Sequence, residues 1–288
     1  MLQIADRLVE SCRREPARIA WLARLPDAVE TLARRWSLSL GPPFLGEDIS
    51  CGWVARATRA DGSPVVLKLG MPHFEGLHEV AGLRFWHGDA TVALLEADEE
   101  ANAMLLEACI PGTSLRALAE PEQDLVLANL LRRLWRDPPP DSSTFRPLAS
   151  MLAHWTAETR AREDAWPDAG LVRAGLALFE ELSTTTERRV VLFTDLHAGN
   201  VLRAQREPWL AIDPKPFVGD AAYDATQHLI NCPERMRGAP RATIDRFADL
   251  LGVSGERVRQ WMFARAAAEP RDGWATSPWL AVARALAP

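Results

Sequence analysis

The sequence predicts an α+β chain of two lobes, a small one built on an antiparallel sheet and a larger helical one. Three observations predict it. Residues 52–70, GWVARATRADGSPVVLKLG, alternate in polarity, turn at Asp61-Gly62 and resume with Val65, Val66, Leu67 and Leu69, the pattern of a β-hairpin. Residues 91–112, TVALLEADEEANAMLLEACIPG, read as two more strands around an acidic turn, closed by Pro111-Gly112. Beyond Gly112 the apolar residues fall at helical spacing over 114–136, 146–163 and 168–183, and again over 221–288. Only a short β-rich island at 189–213 interrupts them.

The remaining elements follow in order. Ile19, Leu22, Leu25, Val29, Leu32 and Trp36 recur every three or four residues, so 17–36 is predicted helical, with a break at Pro26. Residues 74–87, FEGLHEVAGLRFWH, return to helical spacing between the two hairpins. DPPPDSSTF at 137–145 is a loop, and Ser254 is a candidate N-cap for one of the last helices. The expected organisation is an N-lobe over 1–107, a hinge at 108–112 and a helical C-lobe over 113–288. No internal repeat or low-complexity segment appears.

Composition excludes several classes. The 288 residues carry a net charge of −6 and no basic run, which argues against a nucleic-acid partner. The N-terminal stretch is charged every few residues, unlike a signal peptide, and no apolar run is long enough to cross a membrane. Cys12, Cys51, Cys109 and Cys232 are far apart, which argues against a zinc site or disulfide framework and fits a reducing cytoplasm. The expectation is a cytoplasmic monomer acting on a small molecule. The acidic balance is compatible with a cationic substrate.

The island carries the chemistry. In VVLFTDLHAGNVL, residues 190–202, Asp195, His197 and Asn200 sit between two apolar runs, and Asp213 ends the next one, Trp209-Leu210-Ala211-Ile212. A hairpin between those runs would return Asp213 to the Asp195 loop. Singly, each is an ordinary turn residue; together, between apolar strands, they point to a task. The oxygens of Asn200 and Asp213 suit a hard cation such as magnesium, which takes one or two protein oxygens and completes its shell with phosphate and water. Asp195 is then free to accept a proton from a hydroxyl nucleophile. Lys68 lies in an otherwise apolar strand. It is either an edge-strand charge or a phosphate-binding lysine held by a carboxylate of the next helix, Glu79 or, alternatively, Glu75.

These residues resemble the aminoglycoside phosphotransferase branch of the protein-kinase-like fold, and within it the streptomycin 6-phosphotransferase and hydroxyurea phosphotransferase family. RADGSPVVLKL at 59–69, HEVAGLRFW at 78–86, LHAGNVL at 196–202, REPWLAIDPKP at 206–216 and VGDAAYD at 218–224 look like its motifs, over roughly residues 20–235. The resemblance implies a two-lobed kinase fold using ATP and Mg2+. It implies that Lys68 meets the α and β phosphates and pairs with Glu79, that Asp195 is the catalytic base, and that Asn200 and Asp213 are metal ligands. Leu106 would back the adenine pocket, with the backbone of Glu107 and Cys109 on the adenine edge. Ile49-Ser50-Cys51-Gly52, with a single glycine at Gly52, would cover the phosphates. His197 would organise the loop, and Asp220 would cap a helix or brace that loop. Asp224 and Glu234, with Asp245 a further candidate, would supply carboxylates to a cationic acceptor.

The chain departs from the family pattern in one place: His-Gly usually precedes the catalytic aspartate, and here Phe193 and Thr194 stand there. Lys215, two residues after Asp213, is at home in this family where protein kinases have glycine, and puts a second cation near the metal. The function implied is transfer of the γ-phosphoryl group of ATP to an aminoglycoside hydroxyl, foremost the 6-hydroxyl of streptomycin, giving resistance. The alternatives are a kinase of another small molecule and a nucleotide-binding protein that has lost catalysis, with Phe193 as its mark. A protein kinase is disfavoured because Asp220 and Asp224 follow within eleven residues of Asp213, leaving little room for an activation segment.

Overall fold

The computed structural model describes residues 2–13, 15–46, 49–141, 143–270 and 277–288. Part of the predicted 137–145 loop and part of the 221–288 helical region therefore lie outside the described residues. The chain divides into two compact units, residues 1–113 with 202–212, and 114–201 with 213–288.

The first unit begins with helices α1 (Asp6–Cys12) and α2 (Pro16–Arg35), followed by strands β1 (Ser39–Pro43), β2 (Gly52–Thr58) and β3 (Pro64–Gly70). A 3₁₀ turn at Glu75–His78 leads into α3 (Glu79–Trp86), and β4 (Leu94–Asp98) and β5 (Ala103–Glu107) complete an antiparallel sheet of order β1-β2-β3-β5-β4. The predicted break at Pro26 does not occur: α2 runs on through it for 20 residues. Proline removes a single backbone donor, and here a buried stripe of Trp21, Leu25, Val29 and Leu32 packs against Leu67 and Leu69 of the sheet and holds the helix together on both sides of it. On β3, alternation puts Val65, Leu67 and Leu69 on the opposite face from Val66 and Lys68. Val66 packs with Val80, Leu83, Met104 and Leu106, on the α3 side. Lys68 therefore points toward α3.

The second unit opens with α4 (Glu120–Leu134), α5 (Leu148–Arg160) and α6 (Ala169–Thr184). Strand β6 (Arg189–Leu192) leads into the Asp195 loop, then β7 (Val201–Arg203) and β8 (Trp209–Ala211) form a two-stranded hairpin. Strand β9 (Phe217–Asp220) pairs antiparallel with β6, Leu192 opposite Phe217 and Arg189 opposite Asp220. Among the described residues five helices follow: α7 (Ala221–Ile230), α8 (Pro233–Gly238), α9 (Pro240–Leu251), α10 (Gly255–Ala268) and α11 (Trp279–Leu286). Ser254 caps α10 as expected, accepting from Arg257 N at 3.2 Å. Helix α10 buries residues on all sides, Trp261, Met262, Phe263 and Ala264 among them, so it is the core element of this unit.

One segment falls on a different side of the expected division. The 202–212 hairpin, expected within the C-lobe, belongs to the first unit. Val92 N donates to Ala211 O and Ala211 N to Ala90 O, Gly112 N donates to Arg203 O, and Leu210 packs with Val92, Met104 and Leu106. Backbone pairing and apolar burial both tie the hairpin there, which sequence distance alone hides. Among the described residues no helix is long and apolar enough to cross a membrane.

Candidate active site

In the first unit, Lys68 and Glu79 form a buried ion pair, Nζ to Oε1 2.6 Å, at 8% and 4% exposure. Helix α3 begins at Glu79, so the carboxylate stands at the positive end of the helix while it meets the lysine. Burying two charges is costly unless they are paired, and an isolated edge-strand lysine has no need of such a partner. Glu75, the other candidate, lies in the 3₁₀ turn before α3. Gly52 pairs with Gly70 across β2 and β3, and a Cβ there would lie 2.8 Å from Leu69 O. Close strand approach thus requires glycine at 52.

Leu106 is buried in the α3-side core. Glu107 follows it with its N–H committed to Ala93 O and its carboxylate accepting from Ala93 N and from Arg206 of the hairpin at 2.8–3.2 Å. That N–H is therefore not available to a base edge. Cys109 is half-buried against the same core, and burial pushes its thiol up to about 11.

In the second unit the loop after β6 brings the other predicted residues together. Asp195 Oδ2 is ion-paired with Lys215 Nζ, which also lies 3.6 Å from Asp213 Oδ2. Asn200 Nδ2 donates to Asp195 O at 2.9 Å and lies 3.4 Å from Asp195 Oδ2. With its amide nitrogen so engaged, Asn200 offers its oxygen to a cation. His197 Nδ1 accepts from Gly199 N at 3.1 Å, and burial lowers its pKa, so the ring acts as a neutral acceptor that shapes the turn. Gly199 leaves room for Arg116, whose guanidinium a Cβ there would meet at 2.6 Å. Among the described residues no group of three or more His, Cys, Asp or Glu is placed to hold a metal. One carboxylate and one amide oxygen instead suit a hard cation that keeps its water and phosphate ligands.

Both residues of the departure, Phe193 and Thr194, are absorbed locally. The Phe193 side chain is fully buried, its N–H donates to Asp224 Oδ2, and its carbonyl accepts from Asp195 N and Lys215 N at 2.9 and 3.1 Å. Thr194 has φ 55°, a left-handed conformation unfavourable for a β-branched residue and natural for the glycine expected in the family. Its hydroxyl donates to Lys215 O, which offsets part of that strain. Asp213 is also left-handed, with φ 60°.

Asp224 requires a correction. Expected to face the acceptor, it is 1% exposed and accepts from Phe193 N, Thr194 N and Trp135 Nε1 at 2.9, 2.8 and 3.0 Å. A carboxylate sealed from water and surrounded by three protein donors braces the Asp195 loop and does not face solvent. Asp220 caps α7 through Ala222 N and binds Arg257 Nε at 2.6 Å. Glu234 is exposed in α8 and pairs with Arg237 at 2.6 Å, apart from the Asp195 cluster's hydrogen bonds. Sequence reasoning missed Gln227, whose Nε2 donates to Asp195 Oδ1 at 2.7 Å. Its spacing of three from Asp224, on a predicted helix, is the signal that could have found it.

Residues 41–272 match the family described as aminoglycoside/hydroxyurea antibiotic resistance kinase. The chain belongs to this family. It is 36% identical over 277 residues to a streptomycin 6-kinase from Streptomyces griseus, covering 92% of this chain and 88% of the relative. A hydroxyurea phosphotransferase from Kitasatospora aureofaciens is 35% identical over 84% of this chain and 71% of its own length. In fold, this resistance-kinase chain is similar to the crystal structure of a choline kinase from Streptococcus pneumoniae, with TM-score 0.65 and 13% identity over 91% of this chain and 99% of that one. The protein-kinase-like fold expected from the motifs is the fold found.

Proposed function

We propose that this protein is an ATP-dependent aminoglycoside O-phosphotransferase that phosphorylates streptomycin at its 6-hydroxyl and so confers resistance. The observation that carries the reading is the meeting of Asn200 and Lys215 at the Asp195 carboxylate, with Asp213 sharing the Lys215 ammonium, in a chain of this kinase family. Asp195 accepts the proton of the acceptor hydroxyl; that oxygen bonds to the γ-phosphorus as the bond to the β–γ bridging oxygen breaks, and ADP leaves. Lys68, fixed by Glu79, engages the α and β phosphates, while Leu106, the carbonyl rather than the N–H of Glu107, and the backbone at Cys109 serve the adenine. Asn200 and Asp213 would hold Mg2+, which supplies neutralisation of phosphate charge. Lys215 adds a second cation for the transferring group. Glu234 is the remaining proposed carboxylate for a cationic acceptor. Free, unpaired cysteines at 12, 51, 109 and 232 fit action in the cytoplasm, as a monomer.

A second reading, phosphorylation of another small molecule such as hydroxyurea, is favoured by the Kitasatospora relative. Magnesium-dependent ATP consumption against streptomycin, dihydrostreptomycin, kanamycin, hydroxyurea and no acceptor separates the two. Streptomycin-dependent turnover is expected, and Asp195→Asn is expected to lower it by at least about 100-fold. Unchanged turnover in that variant would remove Asp195 from its role. ATP binding with no turnover on any acceptor would favour the reading of Phe193 as a mark of lost catalysis.

A further inference from the structure

We propose that Gln227 positions the Asp195 carboxylate, and that Arg265 fixes the orientation in which it does so. The inference rests on the reading of Asp195 as the proton acceptor. Gln227 Nε2 donates to Asp195 Oδ1 at 2.7 Å, and Gln227 Oε1 accepts from Arg265 Nη2 at 2.9 Å. A guanidinium carries donors only and an ionised carboxylate acceptors only. An amide between them satisfies both in one orientation, since turning it over would set NH2 against guanidinium and oxygen against carboxylate.

Arg265 is itself held still. It is 3% exposed on α10, donates through Nη1 to Thr226 Oγ1 and through Nε to Glu269 Oε2, both at 2.8 Å, and lies over the rings of Trp155 and Tyr223 at 5.5 and 5.4 Å. Glu269 pairs with its charge, and the group in contact with Asp195 is the neutral amide of Gln227. On the other oxygen, the Lys215 ammonium is shared with Asp213 and rides on a flexible stem. The Gln227 contact comes from a helix anchored in the core. It sets the plane of the carboxylate, and with it the direction in which a lone pair meets the acceptor hydroxyl, a geometry on which proton transfer depends steeply.

The test compares Gln227→Met, a near-isostere without the donor, with Gln227→Glu, which sets an acceptor against Asp195, each alone and in an Asp195→Asn background. Streptomycin turnover and the slow magnesium-dependent hydrolysis of ATP by water are both measured, because both need the same base. The expected result is a kcat lowered about 10- to 100-fold in each reaction, KM for ATP and streptomycin within about twofold, unchanged thermal unfolding, and no further loss once Asp195 is Asn. Arg265→Lys, which keeps the charge opposite Glu269 but loses the fork, is expected to give a smaller loss in kcat. Wild-type kcat in Gln227→Met, or an equal loss with and without Asp195, would overturn the positioning role while leaving Asp195 as base. Full activity of Asp195→Asn by itself would overturn both. Wild-type kcat in Arg265→Lys would remove the orienting role of Arg265.

Discussion

At Asp224 a buried carboxylate is matched by donors from three sources, the N–H groups of Phe193 and Thr194 and the Trp135 indole. Those two amides immediately precede Asp195, so Asp224 governs the entry into the Asp195 loop. Asp224→Ala would leave the three donors unsatisfied in a dry site, a cost on the order of 3 kcal/mol, read as a lowered urea midpoint. Burial pushes the Asp224 carboxyl up to about 6, against the pull of those hydrogen bonds. The folded state therefore binds this proton more tightly than the unfolded chain, whose value is about 3.9. Its stabilising contribution is complete below pH about 4 and is lost as pH rises through about 6. The stability of wild type relative to the non-titrating Asp224→Asn is expected to decline over that interval, measured by urea unfolding at each pH.

Helix α7 gathers these functions on one face. Asp220, Asp224, Gln227 and His228 recur at spacings of four, three and one, the stripe an α-helix presents to one side. Through it the element caps itself, braces the loop backbone, meets Asp195 and anchors to α4, where His228 Nε2 meets Asp124 Oδ1 at 2.7 Å. The bed beneath it includes α10, which α6 approaches closely at Gly175. A Cβ at 175 would lie 2.9 Å from Ala268 Cβ and 3.0 Å from Ala267 Cβ. Alanine would favour the helix by about 1 kcal/mol, yet overpacking a fixed crossing costs about 1–3 kcal/mol. Gly175→Ala is therefore expected to destabilise by about 1 kcal/mol, seen as a lower urea midpoint, with the wild-type KM retained.

For the molecule as a whole, Asp124 contributes to resistance to acid: it is fully buried in α4 and bound by His228, by Arg235 at 2.9 and 3.0 Å, and by Arg246 at 3.0 Å. Burial would raise its pKa, but the hydrogen bonds from His228 and Arg235 and the positive charge of Arg235 outweigh it and hold the carboxyl well below the usual carboxylate range. The sign is opposite to that of Asp224. Its stabilisation is present above pH about 4 and is lost as pH falls through the depressed folded value. Asp124→Asn is expected to destabilise the fold at pH 7 and to flatten the acid limb of the stability curve, measured by thermal unfolding between pH 7 and 3.

The sequence by itself determined the fold class, most element positions and the polar residues that pair at Lys68 and gather around Asp195, because those rest on local signals. Alternation marks β2 and β3, a lysine inside an apolar strand marks Lys68, and three polar residues between apolar runs mark the Asp195 loop. The family motifs in the residues pointed to the fold that the comparisons also found. Only the tertiary structure decided what each remaining residue faces. Asp224 and Glu234 were alike as helical acids, yet one is sealed among backbone donors and the other stands in solvent. The Pro26 break failed because packing on either side outweighs one missing donor. The hairpin at 202–212 joined the first unit through backbone bonds to residues about a hundred positions upstream. Gln227 and Arg265, 38 residues apart, met through the packing of α7 on α10. Burial and long-range hydrogen bonding are properties of packed elements, and a linear pattern carries them only where the spacing within one element already implies the face.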